Sequence, residues 1–257
     1  MSIVHISSFS SLPFGGVSAS AILNNFTPHG LDPGGFTALA LAVLVANLPQ
    51  LLFSTLYFMY NRLLTSMLAM DEWSRFAYRS ATLRVSYPSR SQRSTYWLHL
   101  PYTYSIPLLI TTTMMHWFVA QSFFLARVQI YDADGNPYQE LPGTSFDPIL
   151  STPGYSPKGI IASIALGSSM LLFLVGLGLR RYKGGIPLIG NNSLAVSAAC
   201  HPPADDNDPA HSKVMWGAIT PEYGTIPGHC CLTSKPVTPP LVDNWYAGLG
   251  KVIYRPV

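Results

Sequence analysis

Apolar residues run almost unbroken from Phe36 to Met70, FTALALAVLVANLPQLLFSTLYFMYNRLLTSMLAM, with Arg62 as the single charge. A helix rises about 1.5 Å per residue, and a bilayer core about 30 Å thick needs about 20 apolar residues to cross it. Leu39–Tyr60 meets that length, and a helix of a soluble protein rarely stays apolar on every face for so long. It is predicted as the first transmembrane span, with Leu63–Phe76 continuing as helix out of the bilayer. Two further runs have the same character: Tyr104–Leu125 (YSIPLLITTTMMHWFVAQSFFL) and Gly159–Leu179 (GIIASIALGSSMLLFLVGLGL). The predicted fold class is therefore an all-α membrane protein with three transmembrane helices, over about residues 39–60, 104–125 and 159–179. Residues 1–35 read as a flexible extracytosolic tail, 36–183 as the membrane region, and 184–257 as an irregular, Pro-rich cytosolic tail.

Charge placement gives the orientation. The tail before the first run has no Lys or Arg, whereas residues 71–103 carry Arg75, Arg79, Arg84, Arg90 and Arg93. Arg180, Arg181 and Lys183 close the third run at once. Basic loops stay on the cytosolic side, so three spans place the N-terminus outside and the C-terminus in the cytosol, at the plasma membrane or an endomembrane. The five arginines also suit anionic lipid headgroups, but their wide spacing favours an orientation signal. No cleavable signal peptide is expected, because residues 1–35 lack a basic start, and the first span acts as its own insertion signal. Asn25-Phe26-Thr27 fits a glycosylation acceptor, with Pro28 following and the membrane close.

Polar residues inside the spans carry what chemistry there is. Asn47, Gln50, Ser54, Tyr57 and Asn61 are spaced three, four, three and four apart, along one helix face. Such a seam avoids lipid; it serves either as glue between helices or as the lining of a path, and glue is the commoner use. His116 sits near the middle of the second run, with Thr112 on the same face. A titratable group at that depth marks a functional candidate, yet no acidic residue lies in a span to pair with it. Ser163 and Gly167, and Ala165 and Ser169, set small residues four apart in the third run, a spacing that lets helices approach closely. The turn residues Asp134-Gly135-Asn136-Pro137 mark residues 126–158 as a solvated loop.

Composition narrows the function further. The chain has 257 residues, 48% hydrophobic and 11% charged, well below the quarter or so usual in soluble domains. A net charge of +3 gives no argument for nucleic acid. Cys200, Cys230 and Cys231 lie in the last quarter and form no disulfide framework. Cys200-His201 and His229-Cys230-Cys231 offer zinc donors, but adjacent residues replace the spacing that wraps an ion, so reduced thiols are expected and no metal is assigned. No nucleophile elbow, phosphate loop, zinc-protease helix or dinucleotide fingerprint occurs, and no enzyme or cofactor is expected.

Several stretches together resemble one group of fungal proteins: ANLPQLLFSTLYFMYN (46–61), DEWSRFAYRSATLRVS (71–86), QRSTYWLHLPYTYSIPL (92–108), HWFVAQSFFL (116–125), SAACHPPADD (197–206) and GHCCLTSKPVTPP (228–240). They are similar to the C-terminal half of large uncharacterised multi-pass membrane proteins, whose N-terminal half carries a domain of unknown function and further spans. The resemblance covers roughly residues 40–250 and implies a chain without that N-terminal half: a truncated relative, a partial gene model or a genuine short form. It implies no activity and no catalytic residue. The resulting expectation is a non-enzymatic membrane protein associating through the polar and small-residue helix faces. Its partners are the lipid bilayer and other transmembrane helices, its own copies or the missing half. The alternative is a transporter or channel component with a polar path near Asn47, Gln50 and His116.

Overall fold

The computed structural model describes residues 22–23, 35–129, 131, 134–135, 149–183, 185–190, 192–219, 228–241 and 246. Asn25, most of the 1–35 tail and part of the 126–158 loop lie outside the described residues. Leu- and Ala-rich sequence without charge repulsion makes helix α1, Phe36–Arg75, continuous through Pro49. Its 40 residues extend about 60 Å, twice a bilayer core. Short strands β1 (Ala81–Thr82), β2 (Arg84–Val85) and β3 (Arg93–Ser94) follow, then helix α2, Tyr102–Ser122. Strands β4 (Phe123–Gln129) and β5 (Ile149–Tyr155) precede helix α3, Pro157–Gly178. Helix α4 (Ser193–Ala199), a 3-10 turn (Pro209–His211), β6 (Lys213–Ile219) and β7 (His229–Thr233) complete the order.

The all-α, three-span expectation fails in three places. First, the described residues form three sheets, of order β1-β6-β7, β2-β3 and β4-β5. Second, among the described residues only α1 and α3 are long and apolar enough to cross a membrane. Three consecutive threonines, His116 and Gln121 dilute α2, and its expected last residues, Phe123–Leu125, leave the helix for β4. Third, the expected irregular tail holds a helix and two paired strands.

Packing divides the chain into two compact units. The first takes the described residues up to Tyr60 together with Ile106–Leu174. In it Ala38, Ala42 and Ala46, four apart, form the buried stripe of α1. The small face of α3 packs on α2: a Cβ on Gly159 would stand 3.0 Å from the Gln121 backbone, and one on Gly167 would stand 3.3 Å from Met115 Cε. Between them Ser163 and Ser122 share a hydroxyl–hydroxyl hydrogen bond of 3.0 Å, both residues buried. Strands β4 and β5 pair antiparallel from Phe123↔Tyr155 to Gln129↔Ile149, and the Phe124 ring lies over Gly154.

The second unit takes Asn61–Ser105 and the described residues from Val175 onward. Its core is Phe76, Ile186, Ala199, Val214, Trp216 and Leu232, with Trp73, Ala81 and Leu83 packed around it. Central strand β6 pairs with β1 (Ala81↔Val214, Thr82↔Lys213) on one side and with β7 (Trp216↔Leu232) on the other. Asn192 caps α4, its side-chain oxygen accepting from the amides of Leu194 and Ala195. Asp206 clamps the end of β7, accepting from Thr233 Oγ1 (2.5 Å), Ser234 N (2.8 Å) and Ser234 Oγ (2.6 Å).

Candidate functional site: a basic cleft and the helix polar residues

The polar seam of α1 turns largely onto its own helix. Asn47 is exposed and donates from Nδ2 to Val43 O at 2.8 Å, while Ser54 donates to Gln50 O at 2.9 Å. Asn61 accepts on its carbonyl from Thr65 Oγ1 at 2.7 Å. Gln50 is half-buried. Back-bonding to a carbonyl one turn earlier satisfies a hydroxyl or an amide hydrogen without any partner helix. His116 packs edge-to-face on Phe53, with ring centroids 4.8 Å apart. Thus the structure brings His116 onto α1 through an aromatic contact, and Thr112 bonds its own helix at Leu108 O.

The cysteines fall in three environments. Cys200 is exposed, Cys230 half-buried and Cys231 buried in β7. Burial pushes both the Cys230 and Cys231 thiols up to about 11, helped by the neighbouring sulfur in one case and by Asp206 in the other. A thiol held protonated is a poor nucleophile and a poor metal ligand. The His229 ring lies 3.1 Å from His201 O, so the two Cys-His segments do meet. Among the described residues no group of three or more His, Cys, Asp or Glu is placed to hold a metal ion.

The strongest chemical concentration in the second unit is a cleft of about 320 Å³ at the end of α1. Its floor is built around Glu72. The β2–β3 register sets Arg84 directly opposite Arg93, an unfavourable like-charge pairing by itself. Glu72 Oε1 answers both, accepting from Arg84 Nε at 2.8 Å and from Arg93 Nη2 at 3.2 Å. Arg84 also donates to Tyr96 OH at 2.6 Å and lies 4.1 Å above that ring, a cation–π stack. Arg93 donates to Thr82 O at 2.8 Å. Asp71 accepts from Arg75 at 2.5 Å one turn along α1 and faces Arg180 at 3.7 Å. Arg79 and Lys213 line the same cleft, both exposed and without an ion-pair partner among the described residues.

The same unit also holds an apolar cavity of about 240 Å³, lined by Trp73, Ile186, Pro187, Trp216, Cys230 and Leu241 among others. Trp73 Nε1 donates to Pro187 O at 3.1 Å and fixes one wall. In the sequence the arginines of residues 71–93 are only a spaced string. Lys213 and the apolar cavity had no signal in the sequence, because strand pairing across more than a hundred residues assembles them.

The molecule is thus a mixed helical and β protein, with two helices of membrane-crossing length and apolarity and a folded unit bearing a basic cleft. It belongs to the DUF8419 family, a domain of unknown function that matches residues 11–227. The match starts at residue 11, ahead of residue 40, about where the resemblance in sequence starts. No curated protein and no solved structure matches the chain.

Proposed function

We propose that this chain is an integral membrane protein, not an enzyme, that works by associating with other membrane-embedded helices. The observation that carries the reading is exposure of apolar helix surface. Only 17% of the most apolar stretch of α1 is buried, and 11% of that of α3, where a core helix of a soluble protein is mostly buried. Leu44, Leu51, Leu52 and Phe58 on α1, and Ile164, Leu171 and Leu172 on α3, stand exposed. A contiguous apolar surface of that extent needs lipid or another protein against it. Within the bilayer, exposed Asn47 keeps a carbonyl oxygen and an amide hydrogen for a helix outside this chain, because neither can find water there. The small face of α3 is already occupied by α2, so α1 carries the association. The basic second unit faces the cytosol, following the bias of arginine and lysine. The resemblance to fungal multi-pass membrane proteins supports the same reading.

Membrane fractionation with alkaline carbonate tests it. The chain is expected in the pellet and, after solubilisation, in the detergent phase; a chain that stays in aqueous buffer without detergent overturns the proposal. Asn47→Leu is expected to weaken crosslinked assemblies while leaving membrane insertion intact.

A further inference from the structure

We propose that the cleft at the end of α1 is a binding site for a phosphomonoester group, carried either by a lipid headgroup or by a free phosphorylated molecule. The argument begins with charge. Five cations line the cleft, Arg75, Arg79, Arg84, Arg93 and Lys213, against the two carboxylates Asp71 and Glu72, a surplus of three. A phosphomonoester carries about −1.5 to −2 at neutral pH and three strong acceptor oxygens, so it offsets most of that surplus. A zwitterionic diester headgroup does not.

The division of labour among the cations points the same way. Arg84 and Arg93 are committed to Glu72, to backbone carbonyls and to Tyr96, and so form a fixed frame. Arg75 is half-exposed above its bond to Asp71. Among the described residues Arg79 and Lys213 hold no carboxylate, although they come from segments more than 130 residues apart and are brought together by the Thr82↔Lys213 pairing. Arg supplies forked donors suited to phosphate oxygens, and Lys a mobile point charge. The cleft volume of about 320 Å³ lies at the small end of the roughly 300–1,000 Å³ usual for small-molecule sites. It accommodates a phosphate with a short polar attachment.

The test uses the full chain in a neutral detergent and titrates inorganic phosphate, short-chain phosphatidic acid and short-chain phosphatidylcholine. Phosphatidic acid is expected to bind and phosphatidylcholine to bind at least tenfold more weakly. Phosphate binding as tightly as phosphatidic acid assigns a free phosphorylated ligand; phosphatidic acid at least tenfold tighter assigns a lipid. Arg79→Gln combined with Lys213→Gln removes two exposed, uncommitted cations and is expected to weaken binding tenfold or more. Arg181→Gln combined with Lys183→Gln removes two exposed cations outside the cleft and is expected to change it less than twofold. Equal weakening in the two double variants, or no binding of either phosphate or phosphatidic acid, overturns the proposal. The proposal is independent of the membrane reading, because the phosphate titration succeeds or fails whether or not the helices enter lipid.

Discussion

Replacing Glu72 with Gln isolates the tie on which the second unit depends. Its carboxylate is the shared acceptor for two arginines that the β2–β3 register sets face to face. The Gln side chain keeps the size and one acceptor oxygen but loses the charge, leaving Arg84 and Arg93 opposed without compensation. Hydrogen bonds to charged groups contribute about 1.5–3 kcal/mol when buried, whereas exposed pairs contribute about 0.2–1 kcal/mol. Glu72 is 34% exposed and its partners are 22% and 40% exposed, between those limits, so the expected loss is about 1–2 kcal/mol. For domains of this size that corresponds to a midpoint lowered by roughly 3–8 °C. Cys231, with no exposed surface, reports the event: a thiol-reactive fluorogenic maleimide labels it only when the unit opens. The assay is run with Cys200→Ser and Cys230→Ser, which leave Cys231 as the reporting thiol. A midpoint shift under about 1 °C, or full additivity with Arg84→Gln in a double-mutant cycle, refutes the shared-acceptor account.

Three further outcomes follow from the same unit. Gly217→Ala places a Cβ 2.7 Å from Val237 Cβ and 2.8 Å from Thr238 O in the central strand, and is expected to destabilise by about 1–3 kcal/mol in the same labelling assay. For Asp206, burial alone raises the pKa, but hydrogen bonds from Ser234 and Thr233 outweigh it and hold the carboxyl below its ordinary 3.8. Its contribution is therefore present above pH 3.8 and lost as pH falls through the lower folded value; Asp206→Ala is expected to cost about 1–3 kcal/mol at pH 7 and to make little difference under strong acid. In the native chain at pH 7.4, maleimide is expected to modify Cys200 first, with Cys230 and Cys231 resistant by mass spectrometry. Because the Cys230 and Cys231 thiols are raised from 9.0 to about 11, the stability they carry is whole below pH 9 and fades as pH climbs toward 11.

The sequence made some of this legible and hid the rest for physical reasons. Helices α1 and α3 announce themselves because sustained apolarity over twenty residues has few other uses. Strand β4 escapes notice because Phe123, Phe124 and Leu125 are apolar enough to extend the α2 run. Its partner β5 carries Pro153, a residue that argues against a strand, yet Pro153 keeps its carbonyl and accepts from Leu23 N at 3.1 Å. In the C-terminal region no residue pattern reveals that β6 finds its partner at Ala81–Thr82. The spacing of the polar seam does not say that Asn47 and Ser54 bond their own backbone. The cleft is the clearest case. Its arginines were visible one by one, but Glu72 becomes their common acceptor only once the β2–β3 register exists.

The ladder joining Ala81–Thr82 to Lys213–Val214 also constrains the route of everything threaded between its rungs. Two stretches paired strand to strand hold together the ends of the intervening 130 or so residues, which therefore form one long closed loop. Closing a loop of that length costs little more than closing one half as long, so the late pairing of β6 with β1 is set by the strands themselves and not by the length of chain between them.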